Sequence, residues 1–426
     1  MWADGLLEVL RGRDFRRLYA TRLTSQLTDG VFQVALAGYV FFSPERQASA
    51  GKAAAAFAVT LLPYSALGPF AGVLIDRWQR RQILVWTPVL RAVLVAAVAA
   101  LVAAGQDGAF FFIGVLMVLG VNRFFLAALS AGLPRVVPRE HLVTANAFAV
   151  TSGTIIAFVG AGVGYGLRNV FGAGDSGTSA ILVVTTGCFL LAGLVATSLP
   201  RLVLGPHLEE APAQTVEELR NVVRGLVDGA RHIWRRRPAA LGLAAISFHR
   251  FLYGVVLIMT LLLCRNHFNA NAEAGLATFA LMLGVSGAGF FAAALVTPWV
   301  VRRISKQAWI SLLLGAGGVF LLVLGTPFSE VPWAAGAFAL GVVSQGVKLC
   351  VDTILQESID DAYRGRVFAV YDMLFNATFA AAAALAAAWL PPDGVSYPTL
   401  GIVVTAYGIG ALLYWNAASR ASAKVP

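Results

Sequence analysis

The chain contains twelve long apolar runs, separated by breaks that are polar or rich in Gly and Pro. A helix rises 1.5 Å per residue, so roughly 20 apolar residues are needed to cross a hydrocarbon core of about 30 Å. Each run is long enough for one crossing, so the sequence predicts an all-α membrane protein with twelve transmembrane helices. The predicted spans cover residues 18–42, 53–75, 83–104, 109–133, 144–167, 179–200, 239–264, 275–300, 307–326, 333–356, 367–390 and 397–418.

Composition excludes a soluble protein. Of the 426 residues, 58% are hydrophobic and only 13% are charged, whereas a soluble domain carries about 25% charged residues. That balance leaves too little polar surface to coat a water-soluble globule. The three cysteines lie inside apolar runs, and the sequence has no Cys and His spacing typical of a metal site. We therefore expect no metal and no cofactor.

The basic residues lie mainly on one side of the predicted membrane. If the N-terminus is cytoplasmic, the inner segments hold 23 of the 32 Lys and Arg residues, the outer loops hold four and the spans hold five. Cytoplasmic loops are enriched in Lys and Arg. The formal charge of +10 thus reflects membrane topology and not a nucleic-acid partner. We expect both termini to be cytoplasmic, in the plasma membrane of a bacterium.

A long basic segment, residues 201–238, divides the spans six and six. It contains a possible amphipathic helix over 215–234, followed by three arginines at 235–237. We interpret those arginines as a positive-inside anchor beside the seventh span, in preference to a lipid-specific site. The segment then acts as a cytoplasmic linker between two six-helix halves, residues 1–200 and 239–426.

The two halves show a weak internal repeat. Residues 119–121 read Leu-Gly-Val in the fourth span, and residues 340–342 read the same in the tenth. An offset of 220 also places Asp29 opposite His249. Repeated halves with polar groups at matched depths are typical of secondary transporters, in which one half rocks against the other about a site near the midplane.

A charged motif follows the second span. Gly72 permits close helix approach, and Asp76 is spaced from several arginines so that together they can form a charged latch at the membrane surface. Asp372, near the cytoplasmic end of the eleventh span, is placed to meet Arg77. The residues of this predicted conformational latch are Gly72, Asp76, Arg77, Arg80, Arg81 and Asp372.

The spacing Gly-x-Leu-x-Asp-Arg-x-x-Arg-Arg over residues 72–81 resembles the cytoplasmic loop signature of the major facilitator superfamily. The glycines of 160–166 look like a motif common in the antiporters of that family, and Arg123 is similar to its motif arginine in the fourth helix. Residues 133–146 and 364–367 look like the branch that includes macrolide and multidrug effluxers. The resemblance implies two pseudo-symmetric halves, alternating access, and a central cavity lined by helices one, four, seven and ten.

Ionisable residues inside the spans are functional candidates, because an unpaired charge in hydrocarbon is costly. Asp29 lies twelve residues beyond Arg17, about 18 Å along a helix, which is near the middle of the membrane. One hypothesis makes Asp29 the acid that exchanges protons for substrate, with His249 able to share its proton. The alternative is a permanent structural bridge between Asp29 and Arg250. The sequence leaves both open.

A second hypothesis concerns an anionic or amphipathic substrate. The spans carry five basic residues against three acidic ones, and arginine binds carboxylate or phosphate through two parallel hydrogen bonds. The competing explanation pairs these charges within the protein, as Lys348 and Asp352 can do because they lie four residues apart on one helix. The candidate substrate-binding residues are Gln26, Arg123, Arg250, Gln345 and Lys348.

The sequence shows neither a Gly-x-Ser-x-Gly elbow nor a nucleotide-binding Gly-x-x-x-x-Gly-Lys-Ser/Thr motif, which argues against an enzyme and against a primary pump. We expect a secondary transporter that exports small lipophilic or amphipathic compounds in exchange for protons. The alternatives are a lysophospholipid or other lipid flippase, and a transporter of anionic substrates with the same fold. The expected partners are a small-molecule substrate, protons and membrane lipids, and we expect a monomer.

Overall fold

The computed structural model describes residues 8–42, 78–138, 141–200, 203–205, 215–360 and 363–422. These residues form long α-helices and contain no strand, which confirms the predicted all-α class. The helices are α1 Arg13–Phe41, α2 Arg80–Ala103, α3 Ala109–Gly132, α4 Leu142–Phe171, α5 Asp175–Thr197, α6 Thr215–Arg235, α7 Arg237–Asn266, α8 Ala272–Val300, α9 Lys306–Phe320, α10 Glu330–Ser358, α11 Arg364–Trp389 and α12 Tyr397–Ser422.

Eleven of the predicted spans coincide with described helices. The first span is α1, the third to sixth are α2 to α5, and the last six are α7 to α12. The second span, 53–75, lies outside the described residues. The described helices include ten that are long and apolar enough to cross a membrane. Helix α1 is not among them because its charged and polar residues lower its mean hydropathy, and α6 is the amphipathic helix predicted within the linker.

The chain separates into two compact units, with the division in α6 after Val222. In the N-terminal unit, α1 packs against α4 and α5, and α2 packs against α3 and α5. In the C-terminal unit, α7 packs against α11 and α12, and α9 packs against α10 and α12. Counted by predicted span, the N-terminal pairings are 1–5, 1–6, 3–4 and 3–6, and the C-terminal pairings are 7–11, 7–12, 9–10 and 9–12. Each pair recurs six spans later, so the packing within each unit repeats as the internal sequence repeat indicated.

Glycines bring the backbones of α1 and α4 into close contact. A Cβ atom built on Gly160 would lie 2.0 Å from the carbonyl oxygen of Leu27, and one built on Gly30 would lie 2.0 Å from that of Ala157. Gly162, on another side of α4, has nothing within 4 Å of the same position. Part of the glycine-rich motif at 160–166 therefore serves helix packing, since only a residue without a side chain fits there.

Substituting Gly160 by Ala is expected to lower the stability of the N-terminal unit. The new methyl group would collide with backbone and not with a movable side chain, and overpacking of this kind typically costs about 1–3 kcal/mol. Gly162→Ala is the matched control, because the same methyl group meets open space and alanine favours helix. Apparent melting temperature in detergent measures both. Equal melting temperatures for the two variants would contradict the close contact.

Helix α9 does not end at Phe320 but continues through a single π-helical turn, Leu321–Gly325. A π turn holds one residue more than an α turn and is often found near functional sites. Leu321 and Gly325 both line a pocket in the C-terminal unit. The turn thus shapes one wall of that pocket.

Candidate functional site

Asp29 lies in a buried polar cluster that joins three helices of the N-terminal unit. Its carboxylate accepts a hydrogen bond from Arg91 of α2 and forms an ion pair with it. The other terminal nitrogen of Arg91 donates to Asn122 of α3 at 3.0 Å and to Ser25 of α1 at 3.4 Å. The side chains of Asp29, Arg91, Asn122 and Ser25 are all buried, so the charges of the pair compensate each other away from water.

Arg91 also reaches a fourth helix. The central carbon of its guanidinium lies 4.0 Å from the ring centroid of Phe189 on α5, a distance typical of a cation–π contact. Arg91 therefore links α1, α2, α3 and α5. A change in the charge of Asp29 would alter the electrostatic balance at the residue on which these four helices converge.

The sequence did not pair Asp29 with Arg91. The structural bridge expected from the sequence joined Asp29 to Arg250, whereas in the structure Asp29 pairs with Arg91, an arginine of its own unit. The sequence feature that relates the two residues is their depth in the membrane. Arg91 lies eleven residues beyond Arg80, about 16 Å along α2, and Asp29 lies at a similar depth in α1. Matched depth thus makes Arg91 a candidate partner, as it does Arg250, and the packing of the helices decides between them.

His249 and Arg250 occupy adjacent positions on α7 and have different surroundings. The Nδ1 atom of His249 lies 3.1 Å from the hydroxyl of Tyr407 on α12. The guanidinium of Arg250 lies over the rings of Phe375 and Phe379 on α11, at 4.2 and 4.4 Å from their centroids. Among the described residues no carboxylate forms an ion pair with Arg250, and its buried Nε atom has no hydrogen-bond partner there. Arg250 is thus a cation held mainly by aromatic rings.

The predicted substrate-binding residues divide between the two units. In the N-terminal unit, Gln26 accepts a hydrogen bond from Arg22 Nε at 3.1 Å, and Arg123 is half-buried on α3. In the C-terminal unit, Lys348 Nζ lies 2.5 Å from Asp352 Oδ2 on the same helix. The spacing of Lys348 and Asp352 indicated this pair. Gln345 is half-buried one turn earlier on α10.

Three residues of the predicted latch, Gly72, Asp76 and Arg77, lie outside the described residues. Arg80 donates to the carbonyl oxygen of Leu204 at 3.0 Å. Arg81 donates to the carbonyl oxygens of Leu199 and Thr197, at 2.6 and 3.0 Å. The two arginines thus bind free carbonyl groups at and beyond the end of α5, where helices leave such groups without intrahelical partners. Asp372 is exposed on α11. The latch stays a prediction.

An apolar pocket lies within the C-terminal unit, between α7, α8, the π turn and α10. Its polar groups are already paired, because the Tyr253 hydroxyl lies 3.3 Å from Ser286 Oγ and the Trp333 indole donates to Thr260 at 2.9 Å. The pocket therefore offers apolar surface. Arg250 lies about one turn from it, on nearly the same side of α7 as Tyr253, and its guanidinium lies 5.8 Å from the Tyr253 ring centroid.

Comparison with known proteins agrees with this architecture. An uncharacterized MFS-type transporter of Mycobacterium tuberculosis is 40% identical over 381 residues, which cover 89% of this chain and 86% of that protein. Macrolide efflux protein A of Streptococcus pyogenes is 22% identical over 397 residues, covering 90% of this chain and 91% of that protein.

Solved structures show the same fold. The nucleoside transporter NupG matches with a TM-score of 0.64 at 13% identity, covering 95% of this chain and 98% of that one. An auto-inhibited peptide transporter of the POT family matches with a TM-score of 0.62 at 12% identity, covering 96% and 97%. The family model of the Major Facilitator Superfamily matches residues 19–383. Because that match spans most of the chain, the protein belongs to the major facilitator superfamily and is a membrane transporter, not an enzyme.

Proposed function

We propose that this transporter is a proton-coupled exporter of small lipophilic or amphipathic compounds. The observation that carries the proposal is the buried Asp29–Arg91 ion pair. Ionisable groups inside a membrane protein are costly and often belong to proton or substrate pathways. Protonation of Asp29 removes the negative charge that holds Arg91, and Arg91 connects its own helix α2 to three others. Proton binding can therefore favour one arrangement of these helices over another, which is what coupling to transport requires.

In this proposal, residues 1–200 and 239–426 are the two halves that alternate in access, and residues 201–238 link them. Both termini lie in the cytoplasm of a bacterium, and a single chain is the working unit. The direction of transport is taken from macrolide efflux protein A, which is similar to this chain along nearly the whole length of both.

The test is substrate-triggered proton movement in proteoliposomes. Purified transporter is reconstituted with a pH-sensitive dye inside, and a panel of lipophilic drugs and lysophospholipids is added. We expect at least one compound to move protons in the direction opposite to its own, and a proton ionophore to abolish the signal. Liposomes without protein are the control. Compounds that cross without moving protons would overturn the coupling and favour a facilitator or a lipid flippase.

A second candidate function is the transport of anionic amphiphiles such as lysophospholipids. It is favoured by Arg250, which lies beside the apolar pocket and forms no ion pair with a described carboxylate. Arginine binds phosphate and carboxylate well. An anionic headgroup at Arg250 would place its hydrocarbon along α7 from Tyr253 to Thr260, about 10 Å.

Replacing Arg250 by Gln tests this candidate. We expect KM for lysophosphatidylglycerol to rise about tenfold, since hydrogen bonds to charged groups contribute about 1.5–3 kcal/mol, while KM for a neutral lipophilic compound stays unchanged. Arg303→Gln is the control, because Arg303 also stacks on an aromatic ring, that of Trp299 at 3.7 Å, but is exposed and outside the pocket. Equal losses for both substrates in the Arg250 variant would make its role structural.

A further inference from the structure

One face of α6 is docked on the connection between α10 and α11. Asp360 accepts hydrogen bonds from Arg236, directly after α6, at 3.0 and 2.9 Å. The ring of His232 stacks on Tyr363, with centroids 4.3 Å apart and an interplanar angle of 6°. Gly229 lies against Arg366. These contacts fix the rotation of α6 about its axis and so determine which face it presents outward.

The outward face carries an apolar stripe. The exposed fractions are 50% for Val223, 45% for Val227 and 84% for Trp234, and Ala230 between them is also exposed. Their spacings of four, three and four residues place them on one side of an α-helix. Water-exposed apolar stripes on a helix mark surfaces that contact another molecule or a membrane.

A row of arginines runs along one edge of this stripe. Arg220, Arg224, Arg231 and Arg235 are all exposed and lie along the same edge of the stripe. The turn between Arg224 and Arg231 holds Asp228, which forms an ion pair with Arg231 at 4.0 Å. Asp228 is the one acidic residue between positions 220 and 235. A stripe that is apolar in its centre and basic along its edge is complementary to a negatively charged lipid surface.

The position of α6 in the chain supports the same partner. Helix α6 ends at Arg235 and α7 begins at Arg237, so Trp234 lies within one helical turn of a transmembrane span. Tryptophan is enriched at the membrane–water interface. A positive-inside anchor would need only the charges, whereas this helix also exposes apolar side chains in register with them.

We propose that α6 is a binding surface for anionic phospholipids of the cytoplasmic leaflet. Val223, Val227 and Trp234 enter the boundary between headgroups and acyl chains, and the four arginines contact lipid phosphates. Because the opposite face holds Asp360 and Tyr363, bound lipid would also restrain the connection between α10 and α11.

The test measures the depth of spin labels on α6 in the full-length transporter, in vesicles with or without 30% phosphatidylglycerol in phosphatidylcholine. Labels are attached at Val227→Cys, on the stripe, and at Asp228→Cys, its exposed neighbour on another side of the helix. The background carries Cys188→Ala, since the other two native cysteines are buried. In anionic vesicles, we expect accessibility to oxygen relative to a water-soluble nickel chelate to be several-fold higher at position 227 than at 228.

A second variant tests the charges. Replacing Arg220, Arg224, Arg231 and Arg235 by Gln is expected to remove the difference between anionic and zwitterionic vesicles, while size-exclusion chromatography confirms that the variant remains folded. A nickel accessibility at position 227 equal to that at 228 in both vesicles would overturn the proposal. So would spin–spin coupling between labels at 227 on two chains, which would make a second copy the partner.

Discussion

Transporter with Asp29 replaced by Asn is expected to bind and release substrate but to move no protons with it. The amide of Asn has nearly the same shape and can still accept a hydrogen bond from Arg91, but unlike a carboxylate it does not take up or release a proton in the pH range of a transport assay. In proteoliposomes, substrate-triggered proton movement should be lost, whereas exchange of labelled for unlabelled substrate across the membrane should continue. The dye assay and a substrate counterflow assay on one preparation distinguish these outcomes.

Asp393→Asn is the matched control for that experiment. Asp393 is an exposed aspartate in the connection between α11 and α12, and its carboxylate accepts a hydrogen bond from the backbone of Val395 at 3.1 Å. Its replacement should leave both assays unchanged. Coupled transport that persists in the Asp29 variant would assign the proton to another residue and make the Asp29–Arg91 pair structural.

Replacing Arg91 by Gln is expected to lower stability, as is replacing Asp29, because each single change leaves the other buried charge without its partner. The Arg91 substitution leaves Asp29 buried without a counter-charge and removes the donor to Asn122 and Ser25. Breaking a buried pair from one side costs about 3–5 kcal/mol. The double variant Asp29→Asn with Arg91→Gln should recover much of that loss, because no buried charge remains. Apparent melting temperatures of the four proteins in detergent form a double-mutant cycle that measures the interaction.

Lys348→Gln is the control for the stability measurement, because it breaks an ion pair that is partly exposed and not buried. Lys348 and Asp352 are partly exposed, with 38% and 24% of their side chains accessible, and they lie on one helix. Pairs of this kind contribute about 0.3–0.5 kcal/mol. The Lys348 variant should therefore melt close to the wild type. If the effects of the Asp29 and Arg91 substitutions were simply additive, the buried pair would contribute no net interaction.

The transmembrane helices could be predicted because membrane thickness sets their length and hydrocarbon excludes polar residues. The boundaries of α2, α5 and α12 lie within a few residues of the predicted spans for that reason. The linker helix was also predictable, since its apolar residues recur with helical spacing. These properties depend on the local sequence and a uniform solvent, not on which helices become neighbours.

Side-chain partners were not predictable in the same way. The pair of Lys348 and Asp352 was predictable, because both residues belong to one helix and their spacing determines the distance between them. The partner of Asp29 depends on which helices surround α1. Arg250 was the expected partner only because it lies at a similar depth in the membrane. His249 was considered beside Asp29, yet its hydroxyl partner is Tyr407, 158 positions away in sequence. Long-range contacts of this kind follow from packing, which no local pattern encodes.

The π turn of α9 also has a consequence for how this chain aligns with its relatives. Five residues, Leu321–Gly325, occupy a turn that a regular α-helix would make with about four. A homologue that lacks the turn should therefore show a one-residue gap in this segment and otherwise keep the α9 sequence in step. In such a homologue the residues on both sides of the gap would keep the faces that they have here, because the π turn takes up the one extra residue. A single gap in this segment would therefore report loss of the π turn that forms this wall of the pocket, with the rest of α9 unchanged in orientation.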